Sequence, residues 1–172
     1  ASMNIPDVPV HRRPVVAVIA TGDELVMPGE TPAPDQIIAS NSFGLAAQLE
    51  AAGAVARLIP IARDTSASLK TALTLASEAD LIVTIGGASV GDYDLVAPVA
   101  AEMGMQQSFY KVAMRPGKPL MAGRLRGIPM IGLPGNPVSA LVCGTIFVVP
   151  VVRAMLGLGA APRQLLPGAQ LA

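Results

Sequence analysis

Short apolar runs rich in β-branched residues alternate with longer Ala- and Leu-rich stretches along the first 103 residues. Three mainly apolar runs predict strands: residues 15–20, 55–61 and 81–85. The first is apolar throughout, as expected of a strand buried on both faces of a sheet. The longer stretches predict helices, with Pro98 in a first turn: residues 42–52, 66–78 and 94–103. This alternation is typical of a mostly parallel sheet with helices on both faces, a three-layer α/β sandwich.

The last third of the chain has a different pattern. Its short apolar runs predict three more strands: residues 109–114, 119–125 and 128–133. Arg126 and Gly127 separate the last two runs, which predicts a C-terminal hairpin. Residues 137–156 then predict a long closing helix, with Pro137 in its first turn and Gly157 beyond its end.

Polar and glycine residues predict the ends of two helices. Asn41 is a suitable N-cap for the first helix, and Gly53 is a natural stop for it. Thr65 or Ser66 is a suitable N-cap for the second helix.

Composition narrows the class of protein. The chain has 172 residues, of which 52% are hydrophobic and 14% charged, so one domain with a sizeable core is expected. We expect a tail at 1–12, an α/β domain at 13–157 and a second tail at 158–172. The formal net charge is zero and the aromatic content is 3%, which argues against a nucleic-acid surface.

Compartment and membrane association are also predicted from the sequence. Cys143 is the single cysteine, which excludes an internal disulfide, and no secretory leader is visible, so a cytoplasmic location is expected. Residues 127–152 carry no charged side chain, but prolines and glycines interrupt them and the apolar run is short for a span. A buried strand, a tight loop and a core helix are the preferred interpretation.

Four loops carry the candidate chemistry: residues 21–40, 86–94, 114–119 and 132–139. Because ligands of open α/β sheets bind beyond the carboxyl ends of the strands, we expect these loops to line one cleft. The first loop is predicted to be irregular over about 20 residues, a length that usually indicates function in a compact domain. The second is rich in glycine, which allows a ligand close to the backbone.

The loops together supply hydroxyls, cations and carboxylates: Thr21, Ser89, Ser139, Arg115, Lys118, Asp23, Glu24, Asp64 and Asp94. Amides and cations suit a phosphate-bearing ligand, and carboxylates suit a divalent cation. A Ser-His-Asp triad is not expected, since His11 is the single histidine and lies in the predicted tail. Cys143 lies among apolar residues of the closing helix and is interpreted as a buried hydrophobe.

Each of these loops also has an ordinary structural interpretation. Residues 21–23 could cap a turn, and the segment around Lys118 could be a plain surface turn. Ser89 resembles a nucleophile elbow superficially but has neither its full motif nor a histidine partner. Lys118 and Asp94 could form a surface ion pair of little energetic weight.

The motifs TGDEL, GGASVGDYD, RPGKP and GLPGNPVS, in this order, resemble the molybdopterin molybdotransferase family, which includes MoeA and the E domain of gephyrin. The resemblance covers residues 13–157 and matches the part of those enzymes called domain III, the molybdopterin-binding fold. It implies binding of adenylated molybdopterin and insertion of molybdate, with release of AMP and assistance from Mg²⁺. It also implies a homo-oligomer, which is a dimer in the full-length family.

The resemblance also implies roles for individual residues. Catalytic roles fall on Asp23, Asp64, Asp94 and Lys118, and Asp64 and Asp94 are the implied metal ligands. The implied binding residues are Thr21, Gly22, Glu24, Gly86, Gly87, Ser89, Arg115, Gly117, Pro119, Pro134, Gly135, Asn136 and Ser139. Two positions depart from the family pattern, because Ala39 and Thr65 stand where an acidic residue is frequent.

Two other functions remain open at this point. One is a molybdopterin adenylyltransferase of the same fold, although its usual GGTG-type loop is replaced by GGASVG here. The other is a module that binds molybdopterin or a partner protein without turnover. The second gains weight because the other domains of the family have no counterpart in this sequence.

Overall fold

The fold is described by a computed structural model that covers residues 2–87 and 95–159. Its strands are β1 (Val15–Thr21), β2 (Leu25–Val26), β3 (Ile37–Ile38), β4 (Val55–Ala62), β5 (Leu81–Ile85), β6 (Met105–Tyr110), β7 (Met121–Leu125) and β8 (Ile128–Leu133). Its helices are α1 (Ser40–Ala51), α2 (Ser66–Leu75), α3 (Val96–Glu102), α4 (Pro137–Cys143) and α5 (Val149–Met155), with a π-helical turn, Gly144–Val148, joining the last two.

Six of the strands form one sheet in the order β4-β1-β5-β8-β7-β6. The strands β4, β1, β5 and β8 pair in parallel, and β7 is antiparallel to both of its neighbours. The central strands β1 and β5 are buried almost throughout, which explains why all but one residue of each is apolar. The predicted mostly parallel sheet is therefore confirmed.

Two separate hydrophobic cores lie on the two faces of this sheet. Side chains of β1 alternate between them: Val16 and Val18 face α1 and the closing helix, whereas Ala17 and Ile19 face α2 and α3. This alternation follows from the two-residue period of a strand. Helices cover both faces, so the predicted three-layer sandwich is confirmed.

The predicted hairpin is confirmed at β7 and β8. Arg126 and Gly127 form its turn with φ of 50° and 86°, the left-handed pair that a type I′ turn requires. The strand before it was predicted at the wrong place, over 109–114, whereas β6 is Met105–Tyr110. Polar Gln and Ser residues on this exposed edge strand hid it, and the strand stops where Lys111 turns with a φ of 70°.

Capping residues at the ends of α1 and α2 were also predicted from the sequence. Thr65 caps α2 as predicted, because its hydroxyl accepts a bond from the Ser68 amide at 3.2 Å. Asn41 is not the N-cap of α1; that position is Ala39, and its side chain makes no capping bond. Gly53, with a φ of 101°, follows the end of α1 as predicted.

The closing helix spans Pro137–Met155 and was predicted as one continuous α-helix. Its middle turn is π-helical, and the Val149 amide bonds the Gly144 carbonyl five residues back. Pro150 follows directly, has no amide hydrogen and crowds the preceding turn, which accounts for the widening. By length and composition this helix could cross a membrane, but the core helix of a folded domain passes the same test. Its buried residues join the core that α1 shares.

The connection from β1 to α1 is more ordered than the sequence predicted. It contains β2 and β3, which pair in parallel as a small two-stranded ribbon. The Ile37 amide donates to the Glu24 carbonyl at 2.8 Å, and the Ala39 amide donates to the Val26 carbonyl at 2.9 Å. The prediction of an irregular loop over 21–40 is therefore wrong for these two segments.

Candidate functional site

A cavity of about 720 Å³ lies at the carboxyl end of the parallel strands. It is bounded by the segments that follow β1, β5 and β8, by the ribbon of β2 and β3, and by the first turns of α1 and α4. The described lining residues that the sequence had predicted as site residues are Thr21, Gly22, Glu24, Asp64, Gly86, Gly87, Pro119, Pro134, Gly135, Asn136 and Ser139. The cavity has the size of a typical small-molecule site.

Close backbone packing joins the β1, β5 and β8 loops beneath the cavity. The Gly86 amide donates to the Leu133 carbonyl at 3.0 Å, and the Thr21 hydroxyl lies 3.4 Å from the Ile85 carbonyl. A Cβ on Gly86 would lie 2.7 Å from the Thr21 carbonyl oxygen, and its φ is +95°. Only glycine therefore allows β1 and β5 to end this close together.

Two helix N-termini face the cavity. Asn136 caps α4, since its side-chain oxygen accepts a bond from the Ser139 amide at 3.2 Å. Asn41, in the first turn of α1, donates through Nδ2 to the Gly135 carbonyl at 2.8 Å. The first turn of α1 has no side-chain cap on its amides, whereas in α4 Pro137 has no amide hydrogen and the Ser139 amide is bonded to Asn136. The partial positive charge at both helix N-termini suits phosphate or another anion.

Two carboxylates, those of Glu24 and Asp64, also line the cavity. Burial raises the pKa of the Asp64 carboxyl, and the nearby charges of Asp23 and Glu24 raise it further. Asp23 itself lies outside the lining and accepts a bond from the Asp64 amide at 3.0 Å through Oδ1. Because ionisation of Asp64 is unfavourable without a counter-charge, a cation beside it would stabilise the carboxylate form.

The RPGKP segment lies differently from expectation. Only Pro119 of residues 114–119 lines the cavity, whereas Arg115 and Lys118 are exposed. Gly117 is buried, and a Cβ there would lie 2.5 Å from the Cys143 sulfur. This loop packs against the closing helix rather than against the carboxylate wall.

Some site predictions fall outside the described residues. Ser89 and Asp94 lie outside the described residues, and their roles stay predictions. Of the four predicted loops, the first, the described start of the second, and the fourth line one cavity. The third reaches it through Pro119, so the predicted single cleft is confirmed only in part.

Sequence reasoning missed three contributors to the site. The Arg63 guanidinium donates hydrogen bonds to carbonyls of the loop after β1. Asn41 was assigned to a helix cap instead of a cross-link, and Ile38 lines the cavity from the ribbon. The signal for Arg63 was its place between strand β4 and Asp64, since residues at that sheet edge face the ligand side.

The charged side chains in the described lining of the cavity that could bind Mg²⁺ are carboxylates. Within the described ranges 2–87 and 95–159, no group of three or more His, Cys, Asp or Glu residues converges on one point. Glu24 and Asp64 nevertheless supply two carboxylates on one cavity wall. Mg²⁺ is commonly bound through one or two carboxylates, with water and substrate phosphate completing its shell, and this wall suits that mode.

Comparison with known proteins agrees with this architecture. The family model described as "Probable molybdopterin binding domain" matches residues 17–154. The curated molybdopterin molybdenumtransferase of Nostoc sp. is 41% identical over 162 residues, covering 92% of this chain and 37% of the relative. Molybdopterin molybdenumtransferase 2 of Mycobacterium tuberculosis is 42% identical over 166 residues, covering 92% of this chain and 40% of the relative.

A solved structure supports the same conclusion. The MoeA molybdopterin biosynthesis protein of Pyrococcus horikoshii superimposes with a TM-score of 0.78 and 37% identity, over 85% of this chain and 36% of that one. The fold is that of a molybdopterin-binding α/β domain. The chain belongs to the molybdopterin-binding domain family, in the branch that contains the molybdopterin molybdenumtransferases. It spans about 40% of the length of the curated relatives it matches.

Proposed function

We propose that this chain binds adenylated molybdopterin in its cavity and serves insertion of molybdate, with release of AMP, in molybdenum cofactor biosynthesis. The observation that carries the proposal is the convergence of two helix N-termini and two carboxylates around one cavity of about 720 Å³. Helix N-termini suit phosphate oxygens, and the carboxylates would hold a divalent cation that offsets the charge of the phosphate. The enzyme as a whole would be a transferase.

Different residues of the chain bind the phosphate, the cation and the molybdate in this proposal. Amides in the first turn of α1 bind phosphate oxygens, the N-terminus of α4 contributes partial positive charge, and Asn136 and Ser139 lie in the cavity lining there. Asp64 would hold Mg²⁺, with Asp94 as the second implied ligand, and Glu24 lines the same cavity as Asp64. When bound, Mg²⁺ would neutralise charge on the adenylate phosphate. Arg115 and Lys118 bind the molybdate oxyanion from the exposed RPGKP loop.

The surrounding biology follows from the same proposal. We expect a small-molecule substrate, a cytoplasmic location, no nucleic-acid or membrane partner, and a homo-oligomer within the full-length enzyme. The length ratio to the curated relatives implies that turnover takes place in a longer polypeptide. The catalytic test therefore belongs in that polypeptide, whereas ligand binding is tested on this chain.

Calorimetric titration with AMP, with and without Mg²⁺, tests the proposal directly. We expect binding that tightens at least tenfold when Mg²⁺ is present, because the cation links the carboxylate wall to the phosphate. Asp64→Asn should remove most of the Mg²⁺ dependence, whereas Asp35→Asn, at an exposed carboxylate outside the lining, should not. Equal affinities with and without Mg²⁺ would contradict the metal role, and absence of AMP binding would contradict the function.

One observation favours a second candidate, a module that binds molybdopterin without turnover. The described lining of the cavity contains carboxylates but no Lys or Arg side chain that could hold molybdate. Rapid-quench measurement of AMP release from adenylated molybdopterin, with molybdate present, separates the two candidates. Binding without release in the full-length protein would favour the module.

A further inference from the structure

The corner between β4 and α2 is joined to the loop after β1 by backbone hydrogen bonds. The Gly22 amide donates to the Ala62 carbonyl at 3.0 Å, and the Asp64 amide donates to Asp23 Oδ1 at 3.0 Å. The corner is held in turn by α2, because the Arg63 amide donates to the Ser68 hydroxyl at 2.9 Å. This corner therefore offers a fixed base for the more exposed loop.

The Arg63 side chain extends from this base into the loop. Its Nη1 lies 3.3 Å from the Gly22 carbonyl oxygen, 3.0 Å from that of Asp23 and 2.8 Å from that of Leu25. Three carbonyl oxygens around one point repel one another, and a guanidinium both compensates their partial charge and donates hydrogen bonds to them. The loop conformation thus depends on a cation at this position.

These three carbonyls flank Glu24, whose carboxylate lines the cavity. The Glu24 carbonyl itself accepts from the Ile37 amide at 2.8 Å, so every carbonyl from residue 22 to residue 25 has a described partner. Arg63 supplies three of those four contacts, and its chain neighbour Asp64 is the second carboxylate of the cavity wall. One residue therefore links the backbones that carry both carboxylates.

We propose that Arg63 is a positioning residue for the ligand cavity: by holding the carbonyls of residues 22, 23 and 25 it fixes Glu24 relative to Asp64 and so sets the affinity for nucleotide phosphate with its cation. The inference rests on the proposed function for the identity of the ligand. Arg63 lies outside the cavity lining and acts through Glu24 and Asp64. Because its side chain is exposed, its removal disturbs the loop far more than the core.

The chain offers a matched control for this arginine. Arg57 lies on β4, the edge strand that ends just before Arg63, and its guanidinium donates to the Leu75 carbonyl at 3.0 Å, at the far end of α2. Arg57→Ala therefore removes a guanidinium–carbonyl bond from this strand without touching the loop. Arg63→Lys keeps a cation with three donors and tests whether charge and donors, rather than the arginine itself, are required.

The test combines AMP titration in the presence of Mg²⁺ with hydrogen exchange of the amides of residues 22–26. We expect Arg63→Ala to weaken AMP binding about tenfold and to speed exchange in this segment about tenfold. Arg63→Lys should recover most of both losses, and Arg57→Ala should match the wild type in both measurements. This pattern would support the proposal, since general destabilisation would affect the two alanine variants alike.

Three results would overturn the inference: wild-type AMP affinity in Arg63→Ala, an equal loss in Arg57→Ala, or no recovery in Arg63→Lys. If the wild type itself does not bind AMP, the proposed function fails first. The exchange data then decide the inference separately. Unchanged exchange of residues 22–26 in Arg63→Ala overturns it, and faster exchange confined to this segment supports the anchoring.

Discussion

Asn41 and Gly135 are 94 positions apart in the sequence, yet Asn41 Nδ2 donates to the Gly135 carbonyl at 2.8 Å. The bond joins the first turn of α1 to the turn that leads into α4. Residues at both helix N-termini line the cavity, so the bond fixes the spacing of this wall of the cavity. Asn41 thus acts as a cross-link between two parts of the site rather than as a cap for its own helix.

Removing this cross-link should loosen the wall. Asn41→Ala is expected to lower the free energy of unfolding by about 1 kcal/mol, the usual worth of one hydrogen bond, and to weaken AMP binding several-fold. Urea unfolding and calorimetric titration measure the two effects. Gln107→Ala truncates an exposed amide on β6 and serves as the control. Unchanged AMP affinity in Asn41→Ala would show that the cross-link does not shape the ligand site.

The contact between β1 and β5 at Gly86 gives a second prediction. Gly86 and Gly104 have similar φ, +95° and +91°, but only Gly86 is crowded, with the Thr21 carbonyl oxygen 2.7 Å from where a Cβ would lie. Gly104→Ala should cost about 1 kcal/mol from backbone strain alone. Gly86→Ala should cost clearly more and also reduce AMP binding, because the loops must separate. Equal destabilisation in urea unfolding would contradict the close-packing argument.

The fold could be predicted from the sequence where burial determines the pattern. Strands β1 and β5 are buried on both faces, so their apolar runs identified them almost to the residue. Strand β6 lies at an exposed edge, where Gln and Ser are tolerated, and its position was missed. The ribbon of β2 and β3 was missed because two-residue strands are too short to show a period.

The candidate site could also be predicted in part, namely where the local sequence determines the backbone. Glycine-rich and proline-rich motifs indicated the loops that meet at the sheet edge, because such turns are encoded locally. The bonds of Arg63 and Asn41 connect residues about 40 and 94 positions apart, and no local pattern encodes them. The exposure of Lys118 likewise depends on packing of Gly117 against the closing helix, which is a tertiary contact.

The exposed RPGKP loop yields a third prediction, to be tested in the full-length enzyme. Lys118→Ala should reduce molybdate-dependent cofactor formation at least tenfold, because a compact ammonium suits a doubly charged oxyanion. AMP binding should remain near the wild-type value, since Lys118 lies outside the described cavity lining. Lys70→Ala removes a surface lysine that pairs with Glu102 at 2.8 Å and is the control. Normal cofactor formation in Lys118→Ala would contradict the molybdate role.

Asp80 anchors the segment that precedes β1 and gives a prediction about pH. Its carboxylate pairs with Arg12 and accepts from the Val15 amide at 2.8 Å, and the hydrogen bond from Arg12 holds the pKa of Asp80 below its ordinary value. Because the pKa of Asp80 is lowered in the folded state, its ionised carboxylate stabilises the fold at pH values above the ordinary pKa of an aspartate. This stabilisation is lost as the pH falls through the folded-state pKa. Asp80→Asn should therefore lower the melting temperature near pH 7 but not near pH 2. A pH-independent difference would contradict the ionic contribution.

Asp64 should show the opposite dependence on pH. Burial first, and then the charges of Asp23 and Glu24, raise the pKa of Asp64, so the fold favours its protonated form. The protonated Asp64 carboxyl makes its full contribution to the stability of the fold at pH values below the ordinary pKa of an aspartate. This contribution is lost as the pH rises through the raised pKa. Asp64→Asn, which keeps the backbone amide bonded to Asp23, is therefore expected to raise the melting temperature at pH 7.

The gain from Asp64→Asn should vanish in melting curves recorded near pH 3, where the wild-type carboxyl is already protonated. At pH 7, saturating Mg²⁺ with AMP should reverse the order of the two proteins, because ligand stabilises only the protein that binds it. Asp35→Asn, at an exposed carboxylate of the same loop region, should show neither the gain nor the reversal. A melting temperature for Asp64→Asn below that of the wild type at pH 7 without ligand would show that the carboxylate supports the fold and is not strained for binding.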